Sequence, residues 1–82
     1  MYEIIFSDDA KKQLKNLSFE MKERIGNVIE RIKTRPFSFV KKLIESPYYR
    51  LRVEDYRVIL DIQQNKLVIL VIEIGHRKNI YK

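Results

Sequence analysis

The sequence predicts an α+β fold in which one strand and a helical hairpin precede a three-stranded antiparallel meander. Three observations carry this. A short β-branched and aromatic run, residues 2–6, is followed at once by helix-capping residues. Two apolar stripes at helical spacing then run to Pro36. Beyond Tyr48 the apolar residues recur every second position, the period of a strand. The four strands are expected to form one four-stranded sheet packed on the helices, a single domain spanning residues 1–82.

Ser7, Asp8 and Asp9 offer an N-cap and an acidic first turn to a brief first helix. Ala10, Leu14 and Leu17 are spaced four and three apart, with Lys11, Lys12 and Lys15 outward. Ser18 caps a second helix with Glu20 in its first turn, and Met21, Ile25, Val28, Ile29 and Ile32 form its apolar stripe. Pro36 sets its latest end. Gly26 lies within this helix at a cost of about 1 kcal/mol relative to alanine, and is read as permitting close approach to the first helix or the sheet. An irregular connection follows, in which Phe37, Phe39 and Leu43 are read as core plugs. Residues 48–53, 56–63 and 66–74 then read as three strands joined by tight turns at Glu54-Asp55 and Gln64-Asn65, with Gly75 closing the last. That last strand is apolar on both faces and belongs in the middle of the sheet.

The chain of 82 residues carries 17 Lys and Arg against 11 Asp and Glu, a formal +6. Such a surface attracts a polyanion or an acidic partner. The same Lys, Ile and Glu richness is also what a compositional bias or a heat-adapted surface produces. With no cysteine there is neither a disulfide framework nor a thiolate metal site. No cofactor is expected. The amino terminus lacks the basic start and long apolar run of a signal peptide, and the longest apolar run, residues 67–72, is far too short to span a bilayer. A cytoplasmic protein without a membrane partner is the expectation.

The stretch 48–57 is where function is sought. Arg50 and Arg52 are two apart and leave one face of a strand, while Leu51 and Val53 go to the other. A tight turn at Glu54-Asp55 brings Arg57 back beside them, with Tyr48, Tyr49 and Tyr56 close by. Arginines and tyrosines gathered on a sheet suit a flat, anionic ligand. The alternative makes Arg50 and Arg52 exposed charges that discourage edge pairing. The segment after Gly75 places Arg77 and Tyr81 where they can fold back over the basic face.

Two runs, Tyr-Arg-Leu-Arg-Val-Glu-Asp-Tyr-Arg-Val-Ile-Leu-Asp-Ile and Leu-Val-Ile-Leu-Val-Ile-Glu-Ile-Gly-His-Arg-Lys-Asn-Ile-Tyr, resemble the RelE toxins of the RelE/ParE superfamily. The resemblance extends over the chain and agrees with the order of elements read above. It implies a toxin of a type II toxin–antitoxin system: a ribosome-dependent endoribonuclease that cuts mRNA in the A site and is held inactive by an acidic, RelB-like antitoxin. It also implies that the catalytic set is Arg50 and Arg52 on one strand, Arg57 on the next, and Arg77 and Tyr81 near the end. Where well-known relatives carry lysines on the first of these strands, this chain has arginines, so the identity of the base is open.

Cutting RNA without a metal means activating a 2′-hydroxyl, stabilising a pentavalent phosphorane and protonating the leaving 5′-oxygen. Arginine suits the second task, because its planar fork grips two phosphate oxygens and stays charged at any working pH. On this reading Arg57 clamps the scissile phosphate while Arg50 and Arg52 raise the local potential and position the backbone. Arg77 faces the leaving group, and Tyr81 stacks on a base or orients the nucleophile. No residue is an obvious general base; His76, Glu45 and Glu54 read as structural or solvated groups, so electrostatics and an in-line bend in the RNA carry the reaction. Two other functions stay open: a ParE-like toxin that binds DNA gyrase, and a degenerate RNA-binding module that has lost cleavage. The free toxin is expected to be a monomer, with a heterotetramer formed through antitoxin dimerisation.

Overall fold

The computed structural model describes residues 1–76. A first strand β1 (Glu3–Phe6) leads into helices α1 (Asp8–Lys15) and α2 (Phe19–Ile32). A 3₁₀ turn (Pro36–Ser38) follows, then strands β2 (Val40–Lys42), β3 (Tyr49–Val53), β4 (Tyr56–Gln63) and β5 (Val68–His76). Both helices start as their caps predict. Ser7 Oγ accepts the Ala10 N–H at 3.0 Å, and Ser18 Oγ accepts the Met21 N–H at 3.1 Å.

The sheet runs β1-β5-β4-β3-β2, with β1 parallel to β5 and every other pair antiparallel. It therefore has five strands, not four. The extra one, β2, lies in the stretch read as irregular, and pairs Val40 with Leu51, Lys41 with Arg50 and Lys42 with Tyr49. Three residues are too few to display a period, and pairing with β3 is what makes them a strand.

Strand β5 is interior, flanked by β1 and β4, as its two-sided apolarity predicts. Ile69, Val71 and Ile74 are buried against Ala10, Ile25, Ile29 and Ile32 of the helices, together with Leu51, Val53, Val58 and Leu60 from the neighbouring strands. A bulge between Ile59 and Leu60 shifts the β4–β5 register partway along. Past the end of β1, the start of the helical hairpin takes over the pairing of β5. The Ser7 N–H donates to the Val71 carbonyl at 2.9 Å and Ser7 Oγ to the Ile72 carbonyl at 2.7 Å. Gln13 Oε1 accepts the Ile74 N–H at 2.6 Å.

Three local expectations are corrected. Gly26 makes no close approach, since a Cβ built there would meet nothing within 4 Å. It sits exposed on the rim of a hollow of about 300 Å³ lined by Ile4, Phe6, Leu14 and Ile29. Phe37 and Phe39 are 42% and 47% exposed, and so do not plug the core. Pairing of β2 with β3 carries this segment along the sheet edge, where Phe37 meets Tyr49 edge-on at 5.4 Å. Finally, the turn before β5 is wider than two residues. It occupies residues 64–67, Leu67 takes a positive φ of 54°, and the strand continues through Gly75 to His76. Among the described residues, no helix is long and apolar enough to cross a membrane.

Candidate nucleic-acid interface

Alternation along β3 buries Leu51 and Val53 under the helices and turns Arg50 and Arg52 to the opposite face. The hairpin register then sets Arg57 of β4 directly opposite Arg52. On the other side, β2 sets Lys41 directly opposite Arg50. Two like-charged cross-strand pairs thus lie next to each other on one face. Like charges placed directly opposite destabilise a sheet by roughly 0.2–1 kcal/mol each, a cost that a bound anion reverses.

Arg50 and Arg57 line a hollow of about 310 Å³ together with Lys41, Lys42 and Ser46. Among the described residues, no carboxylate forms an ion pair with Lys41, Lys42 or Arg50; the acidic groups that do pair hold Arg24 and Lys33 instead. Arg50 Nε is buried and, among the described residues, has no hydrogen-bond acceptor. Beside it in the register stands Ile59, fully buried although it belongs to the face opposite the helices, with Arg50 on one side and Glu73 on the other. Leu43 and Ile44 add apolar lining to the cationic hollow, which lowers the local dielectric and strengthens attraction for an anion.

Arg52 departs from this hollow. It is exposed, its Nε donates to the Glu54 carbonyl at 3.4 Å, and it lines a neighbouring depression of about 340 Å³ with Arg24, Asn27 and Arg31 of α2. Arg24 is ion-paired with Glu54 at the hairpin tip and, at 3.3 Å, with Glu20 one turn earlier in α2. The tip that separates Arg52 from Arg57 is tethered to the helix by this arginine. Glu54 there takes a positive φ of 54°, as does Glu45 at 55° in the loop after β2.

Two of the tyrosines do not share the cationic face. Tyr49 and Tyr56 alternate with Arg50 and Arg57, so both pack against the core on the helix side. Tyr56 meets His76 edge-on at 5.6 Å, and Gly75 lies opposite Arg57. His76 is therefore half-buried beside Tyr56, on the face away from the arginines. Arg77 and Tyr81, expected to complete the site, lie outside the described residues. Sequence reasoning missed Lys41 and Lys42. Their signal was slight: one β-branched residue, Val40, ahead of two lysines. Among the described residues, no group of three or more His, Cys, Asp or Glu side chains is placed to hold a metal ion. Chemically the face offers fixed positive charge and guanidinium donors, which suit a phosphodiester, and a bed of hydrogen-bond donors for charge that develops on one.

The architecture is that of a small basic α+β protein with a cation-lined sheet face. The chain belongs to the family of ParE toxins of type II toxin–antitoxin systems (parDE), whose family model matches residues 4–81. No curated protein matches it. Among solved structures, a chain of the intact E. coli RelBE toxin–antitoxin complex superposes with a TM-score of 0.84 at 23% identity, over 93% of this chain and 96% of that one. The archaeal RelE–RelB complex from Pyrococcus horikoshii gives 0.83 at 23% identity, over 96% and 98%. The RelB–RelE complex from Methanococcus jannaschii gives 0.75 at 27% identity, over 94% of each chain. Together these place the chain in the RelE/ParE superfamily, with the RelE-like fold.

Proposed function

We propose that this toxin is a ribosome-dependent endoribonuclease that cleaves mRNA in the ribosomal A site by attack of a 2′-hydroxyl on the adjacent phosphate. The observation that carries the reading is the convergence of Arg50 and Arg57 with two lysines on one hollow, with no carboxylate paired to Lys41, Lys42 or Arg50. Arg57 grips the scissile phosphate and stabilises the phosphorane. Arg50 stands beside it in the hollow and positions the neighbouring backbone, while Arg52 adds to the potential from the adjoining depression. Arg77 and Tyr81 are assigned to the leaving group and to a base or the nucleophile. The 2′-oxygen gives up its proton as the new P–O bond forms, the bond to the 5′-oxygen breaks, and that oxygen takes up a proton. The products are a 2′,3′-cyclic phosphate and a free 5′-hydroxyl.

Arg52 and Gly75 are the register neighbours of Arg57 among the described residues, and positioning is assigned most of the catalysis. A second macromolecule that bends the message in line is then part of the mechanism, the role given to the ribosome. The same cationic face accounts for inhibition: an acidic, RelB-like antitoxin neutralises it, in keeping with the RelB–RelE complexes among the solved relatives. The free toxin is a cytoplasmic monomer of one domain, and larger assemblies come from antitoxin dimerisation.

The family match favours a second reading, a ParE-like toxin that binds DNA gyrase and performs no RNA chemistry. One experiment separates them. The native protein, Arg57→Ala and Arg77→Ala are assayed on a message programmed into ribosomes, on the same RNA free in solution, and on gyrase supercoiling. Cleavage on ribosomes alone, abolished in both folded variants, supports the nuclease. Intact RNA with inhibited supercoiling moves the assignment to gyrase.

A further inference from the structure

Lys41 is absent from the catalytic set that the sequence pointed to, yet it occupies a defined place in it. It stands opposite Arg50 across the β2–β3 ladder, as Arg57 stands opposite Arg52 across the β3–β4 ladder. Arg50 and Arg57 line one hollow and are diagonal neighbours across the β3–β4 ladder, roughly 7–8 Å apart, a distance that successive phosphates of an extended RNA strand can match. Lys41 and Arg50 bring two cations within reach of one phosphate, while Arg52 turns away to the hairpin tip. Arg50 Nε, buried and lacking an acceptor among the described residues, is a donor already desolvated on a residue that lines the hollow.

Resting on the nuclease reading above, we infer that Lys41 and Arg50 form a second phosphate subsite, which holds the phosphodiester next to the one gripped at Arg57. Lys41 is a positioning residue: it touches the backbone one nucleotide from the reacting atoms and sets the register of the strand. A carboxylate-bearing segment of a protein partner is the competing occupant. The phosphate is favoured because the hollow that Lys41 and Arg50 line continues to Arg57 on the next strand, a spread of charge that matches a polymer with one charge per unit.

The test uses two uncleavable probes, a 2′-O-methyl dinucleotide with one internal phosphate and a 2′-O-methyl trinucleotide with two. Their binding to the whole protein is followed by NMR titration over a range of salt. The native protein binds the trinucleotide more tightly, and its log–log salt slope exceeds that of the dinucleotide by about 0.7. Lys41→Met, with a melting temperature no lower than the native chain's, binds both probes alike and with one slope; Lys41→Arg restores the difference. A Lys41→Met protein that keeps the native gain from dinucleotide to trinucleotide overturns the subsite while leaving the nuclease reading standing. So does one that binds both probes as the native chain does but loses affinity for the acidic antitoxin. A native protein that shows no salt-dependent binding to either probe overturns the subsite together with the RNA reading on which it rests.

Discussion

Gln13 Oε1 and the backbone N–H of Ile74 are joined by a 2.6 Å hydrogen bond across 61 residues of sequence. The bond lies where β1 has ended and the edge of β5 would otherwise stand without a neighbour. Ile74 is itself buried, so losing the acceptor leaves a backbone donor unsatisfied. Gln13→Leu is expected to cost about 1–3 kcal/mol, read as a lower urea midpoint with the m-value unchanged. Ser7→Ala removes a helix cap and a bond to Ile72 together and is expected to cost a similar amount.

Gly26 offers the opposite case. It is an exposed position inside α2 where an added methyl group meets nothing. Gly26→Ala should raise stability by roughly 0.5–1 kcal/mol, a rise in melting temperature of about 4–8 °C per kcal/mol for a chain of this size. Calorimetry checks it, and a loss of stability would mean that the hollow beside Gly26 is filled.

Leu67 holds a positive φ while its side chain is half exposed, so nothing in the core compensates the strained backbone. Its carbonyl accepts the Glu3 N–H at 2.8 Å, a bond that any residue can make. Leu67→Gly is expected to stabilise the fold by about 1 kcal/mol, seen as slower unfolding in denaturant.

Lys41→Glu converts a like-charged cross-strand pair into an opposite-charged one with Arg50. Free protein should gain roughly 0.2–1 kcal/mol, an effect that fades in high salt, while cleavage on ribosomes falls. Stability and activity moving in opposite directions is the signature. A joint loss of both would mean that Lys41 serves the fold.

What could be read from the chain was whatever is encoded within one element. Ser7 and Ser18 announce their helices because a cap acts over three residues, and the alternation of Leu51 and Val53 with Arg50 and Arg52 fixes the faces of β3. The same alternation, carried one residue back, sends Tyr49 to the core, so the grouping of tyrosines with arginines ignored the period that defined the arginine face. Strand β2 was hidden because its pairing with β3, and not its composition, creates it. Arg52 stands opposite Arg57 as its position predicts, yet its guanidinium turns to the hairpin tip, where the Glu54 carbonyl and the tether to Arg24 lie. A side chain's final direction depends on neighbours that the strand's own period does not specify.

The parallel pairing of β1 with β5 sets a timetable for the growing chain. Glu3 lies opposite Val68, so the first strand waits for more than sixty residues of synthesis before it has a partner. Until then the strand carrying Ile69, Val71 and Ile74 does not exist to cover the apolar faces of α1 and α2. Such long-range closure is slow and cooperative. A nascent chain that still lacks β5 therefore has no folded cationic face, and the cell has an interval in which to supply the antitoxin before the toxin is armed.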